Sequence, residues 1–229
     1  MQTIAQNLST IHANIIATAE RFCRSSTEIK LLAVSKHQSV LAIQQAVAAG
    51  QLCFAESYVQ EAMAKIIALA EEKLEWHFIG PLQTNKLRFV AQHFSWVHSV
   101  CRLSTAHRLN ELRQERQPLL NVCIQVNVSD EPQKQGIEFA QLPELASAIM
   151  ALPKLKLRGL MMIPSLKQSL DQDPQPFRQL RQALHELNKQ GFELDTLSMG
   201  MSTDYELAIA EGATVVRIGS ELFGKREMK

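Results

Sequence analysis

Eight short, largely apolar runs recur along the chain, each followed by a helical or turn-forming segment. They are IKLLAVSK (29–36), LCFAES (52–57), EWHFIG (75–80), SWVHSV (95–100), PLLNVCIQVNV (118–128), LKLRGLMMI (155–163), LSMGM (197–201) and TVVRIG (214–219). Nearly continuous apolar runs suit strands covered on both faces, as in parallel sheets. Eight such units in 229 residues come close to the length of a (β/α)8 barrel. A doubly wound open sheet could carry the same alternation, but eight units fit closure better. Ile4, Leu8, Ile11 and Ile15 recur at helical spacing ahead of the first run, which predicts an amphipathic helix to about Arg24. No shift in composition marks a boundary. The expected fold is therefore an α/β protein, a single (β/α)8 TIM barrel over residues 1–229 with an extra N-terminal helix. The polar stretch Ser165 to Pro176 is the longest expected loop, read as a solvated insertion after the sixth strand.

Composition narrows the function classes. The formal net charge is +1, so no global field steers the chain toward nucleic acid or an anionic membrane. No apolar run approaches bilayer length, and the N-terminus lacks a basic segment followed by an apolar core. A cytoplasmic protein is expected. Cys23, Cys53, Cys101 and Cys123 are widely spaced, His93 and His98 straddle a helix-to-strand junction, and no HExxH pair occurs. Neither a disulfide framework nor a metal site is expected.

Chemistry concentrates near the C-terminus, in LSMGMSTDYELAIAEGATVVRIGSELFG (197–224). Gly200, Ser202 and Thr203 sit where a strand hands over to a helix, a place for backbone N–H groups and hydroxyls to hold an anion. Gly219 and Ser220 offer a second such turn, close behind Arg217. In a closed barrel, the loops after strands seven and eight often bind phosphate. Lys36 ends the first strand, which neighbours the eighth on closure, so it joins the same rim. In a partly desolvated pocket beside Arg217 its amine becomes a nucleophile for Schiff-base formation. The carbonyl partner could be pyridoxal phosphate or a phosphorylated sugar. Arg217 has three roles open to it: binding phosphate, pairing with a carboxylate such as Glu56, or donating to a pyridine nitrogen. His77, Asn127, Met162 and Ser198 lie on or near the rim, each as compatible with packing as with ligand contact. Met161, Met162, Met199 and Met201 read as core filler. Gln83, Asn85 and Lys86 read as a solvated first helical turn.

AVSK ending at Lys36, FAESYVQE from Phe54, WHFIGPLQTNK from Trp76, GLMMI from Gly159, LSMGMSTDYELAI and VRIGSELFG occur in this order across nearly the whole chain. Together they resemble the pyridoxal 5′-phosphate (PLP) homeostasis proteins, a family related to the N-terminal barrel of alanine racemase. The resemblance implies PLP held as a Schiff base on Lys36. It further implies phosphate contacts from Ser202, Thr203, Gly219 and Ser220, with Arg217 approaching the cofactor ring. Ser57, His77, Met162, Ser198 and Gly200 complete the candidate cofactor-binding set. The implied role is a carrier or regulator of intracellular PLP with no established turnover, so no catalytic residue is assigned. PLP-dependent apoenzymes are the implied recipients, and a monomer or weak dimer is expected. Two departures stand out. Ser57 replaces the asparagine of the usual Phe-Gly-Glu-Asn-Tyr and loses its amide fork, and His37 follows the lysine where threonine is common. The alternative is a fold-type III PLP-dependent racemase. Such racemases resemble two-domain proteins whose second domain supplies a tyrosine across a dimer, whereas the tyrosines here are Tyr58 and Tyr205. A Schiff-base aldolase acting on a sugar phosphate is a third option.

Overall fold

The eight apolar runs become eight parallel strands: β1 (Lys30–Val34), β2 (Cys53–Glu56), β3 (Glu75–Phe78), β4 (Trp96–Val100), β5 (Leu120–Gln125), β6 (Leu155–Met161), β7 (Thr196–Ser198) and β8 (Val215–Ile218). The structure is a computed structural model that describes residues 2–129 and 135–224. The strands close into a barrel in sequence order. Closure is made by β8 against β1, in register from Lys30 opposite Val215 to Ala33 opposite Ile218. That pairing excludes the open sheet.

Between the strands run α2 (Val40–Ala48), α3 (Val59–Ala68), α4 (Leu87–His93), α5 (Leu103–Leu112), α6 (Leu142–Met150), α7 (Leu166–Leu170), α8 (Gln175–Lys189) and α9 (Tyr205–Ala210), and α10 (Ser220–Phe223) follows β8. They follow α1 (Ile4–Arg21), the expected N-terminal helix. Its start is set by a capping box in which Thr3 and Gln6 exchange hydrogen bonds, satisfying two otherwise orphaned N–H groups. The buried stripe Leu8, Ile11, Ile15 and Ala19 has the 3.6-residue period of a helix lying on a core. This helix, with Arg24 just beyond its end, ties down the C-terminal elements. Asn7 donates to the carbonyl of Leu222, and the Arg24 guanidinium donates to the carbonyls of Ile209 and Ala213.

The main core lies between the barrel wall and the helices, and two small apolar clusters fill part of the lumen: Leu32, Val34, Ala55 and Val215, then Trp96, Cys123 and Met161. Branched aliphatics usually dominate a barrel lumen. Here it also holds His77, His98, Ser198 and Arg217, all buried. Met162 and Met199 are buried, as expected of filler, whereas Met161, also buried, and the partly exposed Met201 line a cavity at the barrel rim. Gln83 and Asn85 are exposed, as a solvated turn requires.

The stretch from Ser165 to Pro176 departs from expectation. It contains α7, opened by a capping box between Ser165 and Gln168, and it docks on the barrel rim. Ser169 is only 3% exposed; its hydroxyl meets Thr203 Oγ1 at 2.7 Å and donates to Asp204. The side chains of Ser165, Gln168, Ser169 and Gln172 are spent on hydrogen bonds, while Lys167 and Asp171 stay exposed as solvation predicts. No helix among the described residues is long and apolar enough to cross a membrane.

Candidate functional site

Pairing of β8 with β1 brings Lys36 and the loops after β7 and β8 onto one rim. They surround a cavity of about 280 Å3. Of the candidate residues, Lys36, Ser57, Ser202, Thr203, Arg217, Gly219 and Ser220 line it. Gly200, Met162, Ser198 and His77 stand outside the lining and support it from behind. A second cavity, about 330 Å3, lies in the groove between α6 and α8, where Glu186 is the one charged lining group among the described residues.

The two turns meet through Ser220, whose hydroxyl donates to Ser202 Oγ at 3.2 Å. The N–H groups of Ser202, Thr203, Gly219 and Ser220 donate to no backbone carbonyl of a described residue. Such a concave set of donors suits a multiply charged anion. Gly200 shapes the first turn. Its φ is +92°, a Cβ there would stand 2.6 Å from the Cβ of Ala208, and its carbonyl accepts from Arg217 N. Asp204 fixes the same turn by accepting from Met201 N at 2.6 Å.

Arg217 is 4% exposed, and its guanidinium is held from behind. Nη1 donates to Ser198 Oγ and Nη2 to the carbonyl of Met162, each at 2.8 Å. Burial lowers its pKa to about 10 against the opposing pull of Asp204, so it stays cationic at neutral pH. Pairing with Glu56 is ruled out, because Glu56 accepts from Lys65 at 2.8 Å and from Ser35 Oγ at 2.6 Å.

Both neighbours of Lys36 are clamped by charged residues that the sequence reading had passed over. Lys65 Nζ donates to the Ser35 carbonyl at 2.6 Å and pairs with Glu61 at 2.5 Å. Glu61 in turn accepts the backbone N–H of His37 at 2.5 Å, holding that residue at φ 63°. A non-glycine residue in this region marks a locally strained turn. Lys65 falls three residues after Ala62 on the buried stripe of α3, and a lysine on an apolar stripe was the available signal. Burial raises the pKa of Glu56, opposed by Lys65, and its Oε2 has no hydrogen-bond partner.

The other polar residues sort into two groups. Asn127 accepts from the N–H and hydroxyl of Ser129, a local turn. His77 lies in the lumen, stacked on Trp96 with ring centroids 5.3 Å apart, and contacts His98 and Glu75. At the N-terminal mouth of the barrel, Cys53, Glu75 and His77 bring ligand-type atoms within 4.8 Å of one another, a grouping their sequence spacing did not suggest. Lys30 Nζ sits 2.7 Å from the same carboxylate oxygen that His77 uses, so a cation already occupies that corner. Glu75 is held ionised, its pKa lowered to about 2 chiefly by the His77 hydrogen bond, while burial raises Cys53 to about 11.

The sequence profile described as "Alanine racemase, N-terminal domain" matches residues 6–227. The protein of Escherichia coli (strain K12) named "Pyridoxal phosphate homeostasis protein" is 50% identical over 230 residues, 99% of this chain and 98% of that one. Its namesake from Pseudomonas aeruginosa is 50% identical over 227 residues, 99% of this chain and 97% of the other. PipY of Synechococcus elongatus PCC7942, solved with PLP bound, superposes with a TM-score of 0.85 at 36% identity, covering 97% of this chain and 100% of PipY. Alanine racemase from Corynebacterium glutamicum shares the fold alone, with a TM-score of 0.69 at 17% identity over 96% of this chain and 61% of the racemase. The (β/α)8 barrel with its rim lysine and paired turns thus belongs, by sequence along its whole length, to the pyridoxal phosphate homeostasis protein family.

Proposed function

We propose that this protein binds pyridoxal 5′-phosphate on Lys36 and serves as an intracellular carrier or regulator of the cofactor, without substantial turnover of its own. The observation that carries this is the convergence of Lys36, Arg217 and the two open turns on one cavity of about 280 Å3. The donor set fits the group. The hydroxyls and free N–H groups of the turns match a phosphate, Lys36 matches an aldehyde, and Arg217 can only donate, which suits an unprotonated ring nitrogen. Bound PLP supplies an electrophilic carbon and a conjugated ring that can act as an electron sink. An arginine donor at the ring nitrogen leaves that sink weak.

The lining also supports a holding role. Among the described residues that line the cavity, Lys36 and Arg217 are the only titratable groups. Racemisation calls for a second acid or base positioned opposite the lysine. Tyr205, the tyrosine nearest the phosphate turn, is 3% exposed, and its hydroxyl accepts from Asn14 of α1 outside the barrel. Recipients are then PLP-dependent apoenzymes, and a monomer or weak dimer suffices.

The test is a titration of the purified protein with PLP, followed by borohydride reduction and peptide mapping. A visible absorption band and a pyridoxyl group on Lys36 are expected; a protein that stays colourless overturns the reading. Rapid racemisation of any amino acid, abolished by Lys36→Ala, would overturn the non-enzymatic part alone.

A further inference from the structure

Below the cavity, one line of hydrogen bonds crosses the lumen from Arg217 to the opposite mouth of the barrel. Arg217 Nη1 lies 2.8 Å from Ser198 Oγ, which lies 2.8 Å from His98 Nδ1. His98 Nε2 is 2.8 Å from His77 Nδ1, and His77 Nε2 is 2.7 Å from Glu75 Oε1. Lys30 Nζ closes the line on that same oxygen at 2.7 Å. Ser198, His98 and His77 are each 0% exposed, so water does not compete for the links.

The two ends assign every proton between them. A guanidinium only donates, so Ser198 Oγ accepts from Arg217. The ionised Glu75 only accepts, so His77 carries its proton on Nε2. Burial disfavours a second proton on either imidazole. His77 Nδ1 therefore accepts from His98 Nε2–H, and His98 Nδ1 accepts from the Ser198 hydroxyl. Each dipole in the line then turns its negative end toward Arg217. That matters because both acceptors that hold the buried guanidinium from behind, Ser198 Oγ and the Met162 carbonyl, are neutral. A buried cation without a touching carboxylate needs oriented dipoles to hold it.

We infer that Glu75, His77, His98 and Ser198 act as one positioning chain, which sets the orientation of Arg217 in the cavity from a carboxylate on the far mouth of the barrel. Arg217 touches the ligand; the other four residues act through it. The inference rests on the PLP reading only for its consequence at the cavity, since the order of protons belongs to the ligand-free protein.

The test begins with the ¹⁵N-labelled, ligand-free full chain and long-range ¹H–¹⁵N correlation spectra at neutral pH. His77 and His98 are both expected to be neutral and protonated on Nε2. An Nδ1–H tautomer or an imidazolium at either residue overturns the chain. Glu75→Gln removes the charge that sets the direction, so the two histidines are expected to lose their single tautomer. The dissociation constant for PLP is expected to rise roughly tenfold, the weight of one charge-assisted hydrogen bond, and Glu75→Asp to restore part of it. Ser198→Ala cuts the line at its other end, leaves the Lys30–Glu75 pair intact, and is expected to weaken PLP similarly. Folded Glu75→Gln and Ser198→Ala proteins that bind PLP with wild-type affinity and an unchanged absorption band overturn the positioning role. If neither variant folds, the wild-type tautomers still decide. A wild-type protein with the predicted tautomers and no affinity for PLP instead defeats the proposed function and leaves the chain standing.

Discussion

The ammonium of Lys65 donates to the carbonyl of Ser35 at 2.6 Å, one residue before Lys36, and pairs with the buried carboxylate of Glu56 at 2.8 Å. A lysine 4% exposed thus holds the backbone that presents Lys36 to the cavity. Removing one partner of a buried ion pair strands the other, at a cost of about 3–5 kcal/mol. Lys65→Met should lower stability by that amount in urea denaturation, because Glu56 would be left with Ser35 as its one remaining donor. A Lys65→Met, Glu56→Leu double variant should recover most of the loss. A single variant as stable as the parent would show the pair to be dispensable.

Gly200 gives a second stability prediction, tied to the turn that follows β7. Its φ of +92° and the 2.6 Å approach of Ala208 leave no room for a side chain. A left-handed alanine costs about 1–2 kcal/mol before any overlap is relieved. Gly200→Ala should therefore lower the denaturation midpoint and, by moving the turn, weaken phosphate-bearing ligands. Thermal melts with and without PLP separate the two effects; a variant with parental melting and parental PLP stabilisation would contradict both.

Much of the barrel was legible because burial on both faces of a strand writes a continuous apolar run. The run at 118–128 overshoots β5, which ends at Gln125, because Val126 then bridges Ile137 in the following loop and stays buried without continuing the ladder. The rim was legible because Lys36, the turn from Gly200 and the turn at Gly219 sit at strand ends, and closure makes the first and last strands neighbours. The lumen was not. Glu75 and His77 share a face at a spacing of two, as do Trp96 and His98, yet nothing in one strand tells which polar residue of another it will meet. The α7 segment hides for a related reason: Ser169 looks like a solvated loop residue until its hydroxyl meets Thr203 and Asp204.

The two hydroxyls that meet at 3.2 Å, Ser202 and Ser220, should recognise phosphate and not the pyridine ring. Ser202→Ala and Ser220→Ala should each weaken PLP roughly tenfold, the worth of one hydrogen bond to a charged group. Pyridoxal, which has the aldehyde and ring but no phosphate, should bind each variant as it binds the parent. The ratio of PLP to pyridoxal affinity, read from absorption titrations, is the measurement. Equal losses for both ligands would move the phosphate away from these turns.

Acid should destabilise the fold in two stages, with signs set by the lumen. Burial lowers the pKa of His77, and lowers that of His98 further, so the unfolded chain takes up protons first as pH falls through about 6.5. Stability is then lost at about 1.4 kcal/mol per pH unit for each histidine kept neutral in the folded state. Glu75 adds a later stage. Its folded pKa of about 2 lies below the ordinary 4.5, so its contribution is present above 4.5 and is lost as pH falls toward 2. Urea denaturation at a series of pH values should show the first slope beginning near neutrality. His98→Asn should reduce that slope by about half while leaving the Glu75 stage in place. A profile flat between pH 7 and 5 would mean that the histidines titrate alike in folded and unfolded chains, contrary to their complete burial.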